Sequence, residues 1–463
     1  MKSNEVKIPI LSSRYLNPLS QTHIISFTSM IIRYFKQTIA LLRQNKLFGT
    51  FYLLGTAVPV VLTMIVVMYF HLLTAPIYPE NHRFQQYELR SINLTDAEGN
   101  RLGGGCCSEG MINQWFRPLR SVEAVTGIYY YDFGLKDNLQ LGDGTTEQRV
   151  KTKYTDPDFF RVFDFQFLDG SPFTQADLDA ARPCAVIASS LARQLFGTDK
   201  AKGRSFKMND TEYTVTGVVR DASSLTPVSF AEIWLPYSCL PDYFAYPNAD
   251  IITGPYTVVF RTRDEAQAQQ MQADIRELVR RHNASQPDGM QMELQGPLPS
   301  WKRNLVPGNQ EIDLRGLIKF WGALLLTFLI VPAVNLGGMI SGQMETRWSE
   351  LGVSKAFGAS RGYLMRQVIG ENLILTFLGG LIGLLLSWAL LGWGTDWVIG
   401  LFDTYGNMRN GTHDTLIRPD MFFFPLLFLV AFGFCLLLNL LSALIPAWHA
   451  MRIPIVQALG TKK

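Results

Sequence analysis

Residues that could do chemistry are present in this chain, but their spacing fits no catalytic or metal site. The string nearest to a phosphate-binding loop, residues 197–205, has the wrong spacing and carries Arg204 where that loop requires lysine. The six histidines are scattered without metal-ligand spacing. Close aspartate pairs such as Asp156 and Asp158 are better explained as solvated turns than as acid–base pairs. The sequence therefore predicts a non-catalytic chain without cofactor or metal, which does not hydrolyse ATP itself.

The charged residues of greatest interest lie in residues 342–371, between two long apolar runs; we call this stretch the coupling segment. Its charges have both signs: Glu345, Arg347, Glu350 and Lys355. Residues 345–357 favour a helix, Gly358 suits its C-terminal cap, and Ser360 can cap the helix that follows. A polar helix held between two membrane spans would give a soluble protein a surface to bind, and a solvated loop is the alternative.

Four apolar runs without charged residues indicate a membrane protein. The runs are residues 47–79, 320–344, 372–395 and 421–448, and they predict transmembrane helices at residues 47–73, 316–341, 372–394 and 421–447. Each run exceeds the ~20 residues that a helix needs to cross ~30 Å of hydrocarbon. The composition agrees, since 48% of the residues are hydrophobic and 17% are charged. A net charge of +3, without a basic and aromatic patch, argues against a nucleic-acid partner.

The distribution of lysine and arginine sets the orientation of these spans. It places three segments in the cytoplasm: residues 1–46, which include an amphipathic helix from residue 31, the coupling segment, and the tail 448–463. It places residues 74–315 and the short loop 395–420 outside, so the chain is expected to be a multi-pass protein of the inner (plasma) membrane. The first 29 residues are interpreted as a dispensable extension or a misassigned start.

Small residues recur at four-residue spacing within the spans and predict close helix packing. The predicted contact residues are Gly338 and Gly342 in the second span and Gly379, Gly383 and Ser387 in the third. No Asp, Glu, Lys or Arg lies well inside a predicted span. Because ion pathways and proton relays usually need such groups, an ion channel or a proton-driven carrier is disfavoured.

Residues 74–315 have the mixed composition of an α+β domain. Strand–helix–strand patterns at its two ends, residues 86–154 and 256–294, enclose a β-rich middle that we interpret as an inserted lobe. Local signals predict a helix capped by Ser190 and ended by Gly197, a hairpin turn at Asn209 and Asp210, and a long helix capped by Asp264. A disulfide between Cys184 and Cys239 is chemically permitted outside the cell, but the spacing cannot decide it.

The coupling segment resembles that of ABC permeases of the macrolide-exporter (MacB) and FtsX type. The resemblance rests on Glu345 and Arg347, on Glu350-Leu351-Gly352, on Lys355-Ala356, on Gly358-Ala359-Ser360-Arg361 and on Glu371. The tail from Pro446 to Leu459 and four pieces of the outer segment, among them Asp156 to Phe160, resemble the same family. The order of one span, a large outer domain and three further spans is also similar.

This resemblance implies the fold and the partners. It implies an α-helical membrane protein with four transmembrane helices and an α+β, MacB-like extracytoplasmic domain inserted between helices 1 and 2. It also implies a separate ABC ATPase, a homodimer or a heterodimer with a related permease, contact with membrane lipids, and room for a periplasmic adaptor. The residues that would contact the ATPase are Glu345, Arg347, Glu350, Leu351, Gly352, Lys355, Ala356, Gly358 and Ala359.

The function implied by the resemblance is mechanotransmission. A separate ATPase would move the coupling segment, and the spans would pass that motion to the outer domain for export of an unknown substrate. The alternative is an FtsX-like interaction protein that activates an extracytoplasmic partner such as a cell-wall hydrolase. An enzyme anchored by the spans is disfavoured, because the sequence has no nucleophile paired with a base.

Overall fold

The computed structural model of the chain describes residues 32–305 and 313–393, apart from 33, 41, 130–136, 141–146, 224–225, 241–251, 348–351 and 355, together with 429–430, 432–434, 436–438, 440–442, 444 and 448. Two compact units are present. The helical unit contains Met1–Val66, Ile318–Ala389 and Phe424–Lys463. The outer domain contains Val67–Leu317 and Leu390–Phe423.

The α-helices whose bounds the described residues define are numbered along the chain. They are α1 (Lys46–Thr74), α2 (Glu109–Met111), α3 (Phe159–Val162), α4 (Gln175–Asp179), α5 (Ser189–Phe196), α6 (Glu265–Ser285), α7 (Ser300–Arg303), α8 (Leu314–Thr346) and α9 (Arg361–Trp393). Short turns of 3-10 helix occur at Arg83–Gln85 and Tyr237–Cys239, and a π-helical turn occurs at Ile112–Phe116.

Two of the described helices are long and apolar enough to cross a membrane, and both fall on predicted spans. They are Lys46–Thr74 and Arg361–Leu390, with mean hydropathies of 2.3 and 2.2. Helix α8 has 33 residues and covers the predicted second span. The predicted fourth span, 421–447, lies largely outside the described residues, so the count of four spans stays a prediction.

The strands of the outer domain form one hydrogen-bonded sheet. They are β1 (Gln86–Leu89), β2 (Ile92–Thr95), β3 (Arg101–Cys107), β4 (Ala124–Tyr129), β5 (Asp137–Gln140), β6 (Glu147–Val150), β7 (Thr152–Thr155), β8 (Phe167–Gly170), β9 (Cys184–Ala188), β10 (Ser205–Met208), β11 (Thr211–Val219), β12 (Ile233–Pro236), β13 (Thr253–Gly254), β14 (Tyr256–Arg261), β15 (Gln291–Leu294) and β16 (Leu298–Pro299). The main path runs β15-β2-β3-β14-β4-β7-β12-β9-β11-β10-β5-β6. The outer domain therefore contains one mixed sheet with helices, whereas the sequence analysis expects simple strand–helix–strand units at the two ends of the domain.

The predicted inserted lobe is wrong as a separate structural unit. Strand β12, from the predicted middle, pairs in parallel with β7, from the predicted flank, over four registered residue pairs from Ile233↔Thr152 to Pro236↔Thr155. It also pairs with β9, so the sheet continues across the expected boundary. Because the β7–β12 pairing joins residues about 80 positions apart, no local sequence signal could reveal it.

Hydrophobic clusters cover both faces of this sheet. Residues Ala185 and Ile187 of β9 belong to one cluster, and Cys184 and Val186 belong to the other. This alternation follows from the two-residue period of a strand. The second cluster is rich in aromatic rings and includes Trp234, which is fully buried. Burial of both faces explains why the sequences of β9 and β12 are continuous apolar runs.

Three local predictions for the outer domain are confirmed. The side chain of Asp264 accepts a hydrogen bond from the Gln267 amide at the start of α6. Gly197 ends α5 with a φ of 71°. Asn209 and Asp210 have φ angles of 46° and 64°, as the central residues of a type I′ hairpin turn require. These features depend on neighbouring residues alone, which is why the sequence shows them.

The predicted cap of α5 is wrong. The helix begins at Ser189, one residue before the expected start, and its first residues are held by a distant carboxylate. Asp221 accepts hydrogen bonds from the Ser189 hydroxyl at 2.9 Å and from the Ser190 amide at 2.8 Å. A side chain 31 residues away thus satisfies the amide of Ser190 itself, whereas Ser190 as a cap would accept from an amide two or three residues further on.

The four described cysteines, Cys106, Cys107, Cys184 and Cys239, carry free thiols. Burial raises the pKa of Cys106 and of Cys239 to about 11, and the pKa of Cys184 to about 12. Cys184 packs into the aromatic cluster, whereas Cys239 packs against the cluster on the other face. Both thiols are free, so the structure contains no Cys184–Cys239 bridge.

These thiols should be nearly inert to alkylation at neutral pH. Since the thiolate is the nucleophile, a thiol with a pKa near 11 reacts roughly a hundred-fold more slowly at pH 7 than one near 9. Maleimide labelling of the outer-domain cysteines, followed by mass spectrometry, should be slow at pH 7 and rise steeply above pH 9. Fast labelling of Cys239 at pH 7 in the folded chain would contradict the burial that raises its pKa, and labelling in denaturant is the control.

Candidate partner-binding site

The described part of the coupling segment makes a sharp reversal between α8 and α9. The Ala359 amide donates to the Ser354 carbonyl at 3.0 Å, and Gly358 between them has a φ of 90°. This is the six-to-one hydrogen bond of a Schellman cap, which requires a left-handed residue that glycine adopts without strain. Ser360 then accepts from the Tyr363 amide at 3.2 Å and caps α9. The expected caps at Gly358 and Ser360 are therefore present.

A concave surface lies along this reversal and has a volume of about 630 Å³. Its lining is contributed by Val353, Ser354, Phe357, Gly358, Ala359, Ser360 and Tyr363. Phe357 is 88% exposed, Tyr363 is 50% exposed and Val353 is 44% exposed. Large apolar side chains grouped in this way on a polar segment are typical of a protein-binding surface, where aromatic residues supply most of the binding energy. We call this group the aromatic patch.

An ion pair closes the base of the segment. Arg347 follows the end of α8, and its Nη1 lies 2.7 Å from Oε2 of Glu371 in α9. Gln367 donates to the other carboxylate oxygen of Glu371 at 3.2 Å. The two ionic side chains are only 23% and 5% exposed, so the pair is weakly screened by water. The pair holds the ends of α8 and α9 together, although the two residues are 24 positions apart.

A hydrophobic cluster of the helical unit surrounds the same helix ends. Its buried members are Tyr52, Ile340, Met344, Leu364, Val368 and Leu375, with Ala359 packed against them. Tyr52 of α1 also hydrogen-bonds to Thr376 of α9, with 3.0 Å between the two hydroxyl oxygens. The reversal is thus mounted on three helices that pack together, which gives the aromatic patch a fixed base.

The predicted ATPase-contact residues are distributed unevenly over this surface. Glu345 and Ala356 are exposed, Gly358 and Ala359 lie at the concave surface, and Gly352 is buried. Glu350, Leu351 and Lys355 lie outside the described residues. Arg347 faces Glu371 of its own chain in this structure. The direct contact of these residues with an ATPase stays a prediction.

The sequence analysis missed Val353, Phe357 and Tyr363. A signal for them exists, because each is a large apolar residue in an otherwise polar stretch just outside a span. Their exposure in the structure makes them available to a partner.

The predicted packing glycines fall into two groups. A Cβ on Gly379 would overlap Thr56 of α1, and a Cβ on Gly383 would lie 2.7 Å from the Ala57 carbonyl oxygen. Ser387 is fully buried and donates to the Leu384 carbonyl.

Gly338 and Gly342 of α8 make no such contact. A Cβ added to either residue would meet no described atom within 4 Å. Their role in helix packing stays a prediction.

Among the described residues, no group of three or more His, Cys, Asp or Glu could hold a metal ion. The candidate site consists of the aromatic patch, the glycine reversal and the ion pair between Arg347 and Glu371.

Comparisons with known proteins identify two domains. A family model for the MacB-like periplasmic core domain matches residues 77–278, and one for the FtsX-like permease C-terminal domain matches residues 322–455. The chain is 23% identical over 305 residues to the macrolide export ATP-binding/permease protein MacB of Chromobacterium violaceum, covering 65% of this chain and 42% of that protein. It is 26% identical over 239 residues to the pyoverdine export ATP-binding/permease protein PvdT of Pseudomonas aeruginosa, covering 51% of this chain and 34% of that protein.

Among solved structures, the chain is similar to the periplasmic region of MacB from Actinobacillus actinomycetemcomitans. The TM-score is 0.30 and the identity 14%, and the match covers 44% of this chain and 88% of that structure. The matched regions span about two fifths and one third of the length of the two relatives named above.

Proposed function

Since the chain belongs to the ABC transporter permeases of the MacB/FtsX type, we propose that it is a membrane subunit that converts ATP hydrolysis by a separate ATPase chain into motion of its outer domain. That motion would drive export of a substrate, as the names of the MacB and PvdT relatives describe for those proteins. The chain itself contributes binding surfaces and rigid helices. The comparisons do not favour activation of a cell-wall hydrolase, and we do not propose it.

The proposed topology has four spans, with both termini and the coupling segment in the cytoplasm. Helix α1 has 29 residues, and α8 and α9 have 33 each, which correspond to ~44 Å and ~50 Å at ~1.5 Å per residue. These lengths exceed the ~30 Å of a bilayer core, so the helices can reach beyond it. Residues 421–447 supply the fourth span in this proposal. Two copies, or this chain and a related permease, would form the complete transporter, with a periplasmic adaptor as a further partner.

The aromatic patch is the observation that carries the proposal. Phe357 is almost fully exposed on a segment whose flanking helices pack tightly. Exposed aromatic side chains beside a concave surface fit a partner that inserts its own apolar residues between them. A separate ATPase bound at the aromatic patch would cover Phe357 and Tyr363. Its movement on ATP binding would then act on the Schellman reversal and, through it, on α8 and α9.

Replacing Phe357 by serine should weaken ATPase binding by roughly ten- to a hundred-fold. Burial of a phenylalanine side chain is worth about 1.5–3 kcal/mol, and each ~1.4 kcal/mol changes affinity ten-fold. The measurement is the amount of ATPase recovered with the tagged full chain from membranes solubilised in mild detergent, together with the ATP hydrolysis rate of the recovered complex.

Phe84 provides a matched control, because it is 56% exposed on the outer domain. The Phe84→Ser variant should retain the ATPase. Equal recovery of the ATPase with the Phe357→Ser variant and the unmodified chain would refute the aromatic patch as the binding surface. Absence of any ATPase from the unmodified chain would refute the proposed function itself.

A further inference from the structure

The outer-domain end of α1 is capped by a residue that lies beyond the helix. The last carbonyls of an α-helix have no partner within the helix and must be satisfied from elsewhere. Nη1 of Arg83 donates to the Leu72 and Leu73 carbonyls, at 2.9 Å each. Asn304, which follows α7, donates to the same Leu73 carbonyl at 3.3 Å. The end of α1 is therefore fixed by two side chains of the outer domain.

Arg83 is completely buried, and so is its acidic partner. Nε of Arg83 donates to Oε2 of Glu80 at 2.8 Å, and both residues have 0% exposure. The other carboxylate oxygen of Glu80 accepts from the Ser229 hydroxyl at 2.8 Å and from the Ser229 amide at 3.3 Å. A buried charge is tolerated only where it is paired and hydrogen-bonded, so this arrangement has little freedom to shift.

Ser229 links the ion pair to the centre of the sheet. It lies in the turn after Thr226, and its carbonyl accepts from the indole nitrogen of Trp234 at 3.1 Å. Trp234 belongs to β12 and is packed within the aromatic cluster on one face of the sheet. A continuous set of buried hydrogen bonds therefore leads from the end of α1, through Arg83, Glu80 and Ser229, to β12.

We propose that Arg83 is a positioning residue that joins the end of α1 rigidly to the sheet of the outer domain. This inference rests on the proposed function, in which motion reaches the outer domain along a membrane helix. Residues 75–82 connect α1 to Arg83 covalently, and a segment without such a clamp would absorb the motion by bending. The guanidinium fork suits the task, because one planar group can hold two helix carbonyls and one carboxylate at once. A lysine ammonium has no such fork.

The test uses the full chain with its co-purified ATPase in lipid nanodiscs. Hydrogen exchange of peptides covering residues 226–236 is measured with and without ATP, and the ATP hydrolysis rate is measured on the same samples. The main variant combines Arg83→Met with Glu80→Gln, which leaves no unpaired buried charge. Arg83→Lys is the second variant and keeps a positive charge opposite Glu80. It is expected to fold, so the test still has a result if the double variant does not fold. Arg263→Met is the matched control, since Arg263 is exposed in the same domain.

We expect ATP to change the exchange of these peptides in the unmodified chain and in the Arg263→Met variant. The ATP-dependent difference should fall at least about five-fold in the double variant and by at least half in Arg83→Lys, with ATP hydrolysis retained. A purely structural residue would alter exchange in both states and leave the ATP-dependent difference intact. An intact difference in either Arg83 variant overturns the inference alone, whereas an unmodified chain without any ATP response overturns the proposed function and the inference together.

Discussion

Reversing the charge of Glu371 should destabilise the base of the coupling segment, and reversing Arg347 in the same chain should restore it. The Glu371→Arg variant would place two guanidinium groups together where the structure has an ion pair at 2.7 Å. Removing one partner of a buried ion pair costs about 3–5 kcal/mol, and we expect the lower end because the Arg347 side chain is 23% exposed. The double variant Arg347→Glu with Glu371→Arg recreates the pair with opposite polarity.

Thermal unfolding of the detergent-solubilised chain and recovery of the ATPase measure this effect separately. Each single variant should lower both the unfolding temperature and the amount of ATPase recovered. The double variant should regain most of the stability. ATPase recovery should return with it if Arg347 acts by holding the segment in place, and should stay low if Arg347 touches the ATPase directly. The Glu345→Lys variant is the control, since Glu345 is exposed, and its stability should change little. A double variant as unstable as the single variants would refute the pairing.

Enlarging Gly383 to leucine should separate α1 from α9 and produce the second large effect. A Cβ at this position would lie 2.7 Å from the Ala57 carbonyl oxygen and 2.9 Å from Cβ of Val60. Since the nearest atom belongs to the backbone of α1, the clash cannot be relieved by a side-chain rotation. Overpacking of this kind costs about 1–3 kcal/mol, and a leucine adds three further carbons to the clash.

The full chain is heated to a series of temperatures, and size-exclusion chromatography then measures how much of the monodisperse peak remains. The temperature at which this peak is lost reports the stability of the helix packing. Gly338 of α8 is the matched control, because a Cβ there meets no described atom within 4 Å. The Gly338→Leu variant should unfold near the temperature of the unmodified chain. If the two variants are equally stable, close packing of α1 and α9 through Gly383 is wrong.

Much of the candidate site could be predicted from the sequence, because its decisive features are local. The caps at Gly358 and Ser360 depend on backbone conformations and hydrogen bonds within six residues. The two apolar helices that pass the test for spanning a membrane were predicted from their length and lack of charge. The position of the coupling segment between apolar runs follows from the same pattern.

The remaining features depend on contacts between residues far apart in the chain. The sequence presents Arg347 as an exposed charged residue, and only the structure shows that it approaches Glu371 of the same chain. Arg83 looks like an ordinary polar residue after a membrane helix, yet its partners are helix carbonyls and a buried glutamate. Phe357 gave an ambiguous signal, since an apolar residue beside a membrane can face lipid, protein or solvent. Sequence spacing cannot choose among these outcomes.

The shared Leu73 carbonyl has a practical consequence for anyone who wishes to isolate the outer domain. Arg83 stands near the start of that domain and Asn304 near its end, and both side chains bind this one oxygen. The polypeptide thus enters and leaves the domain close together, as in domains that tolerate transplantation between hosts. A soluble fragment that begins at residue 75 would lack the Leu72 and Leu73 carbonyls, which accept hydrogen bonds from the Arg83 guanidinium. An excised version should therefore start upstream of Leu72 and retain Asn304.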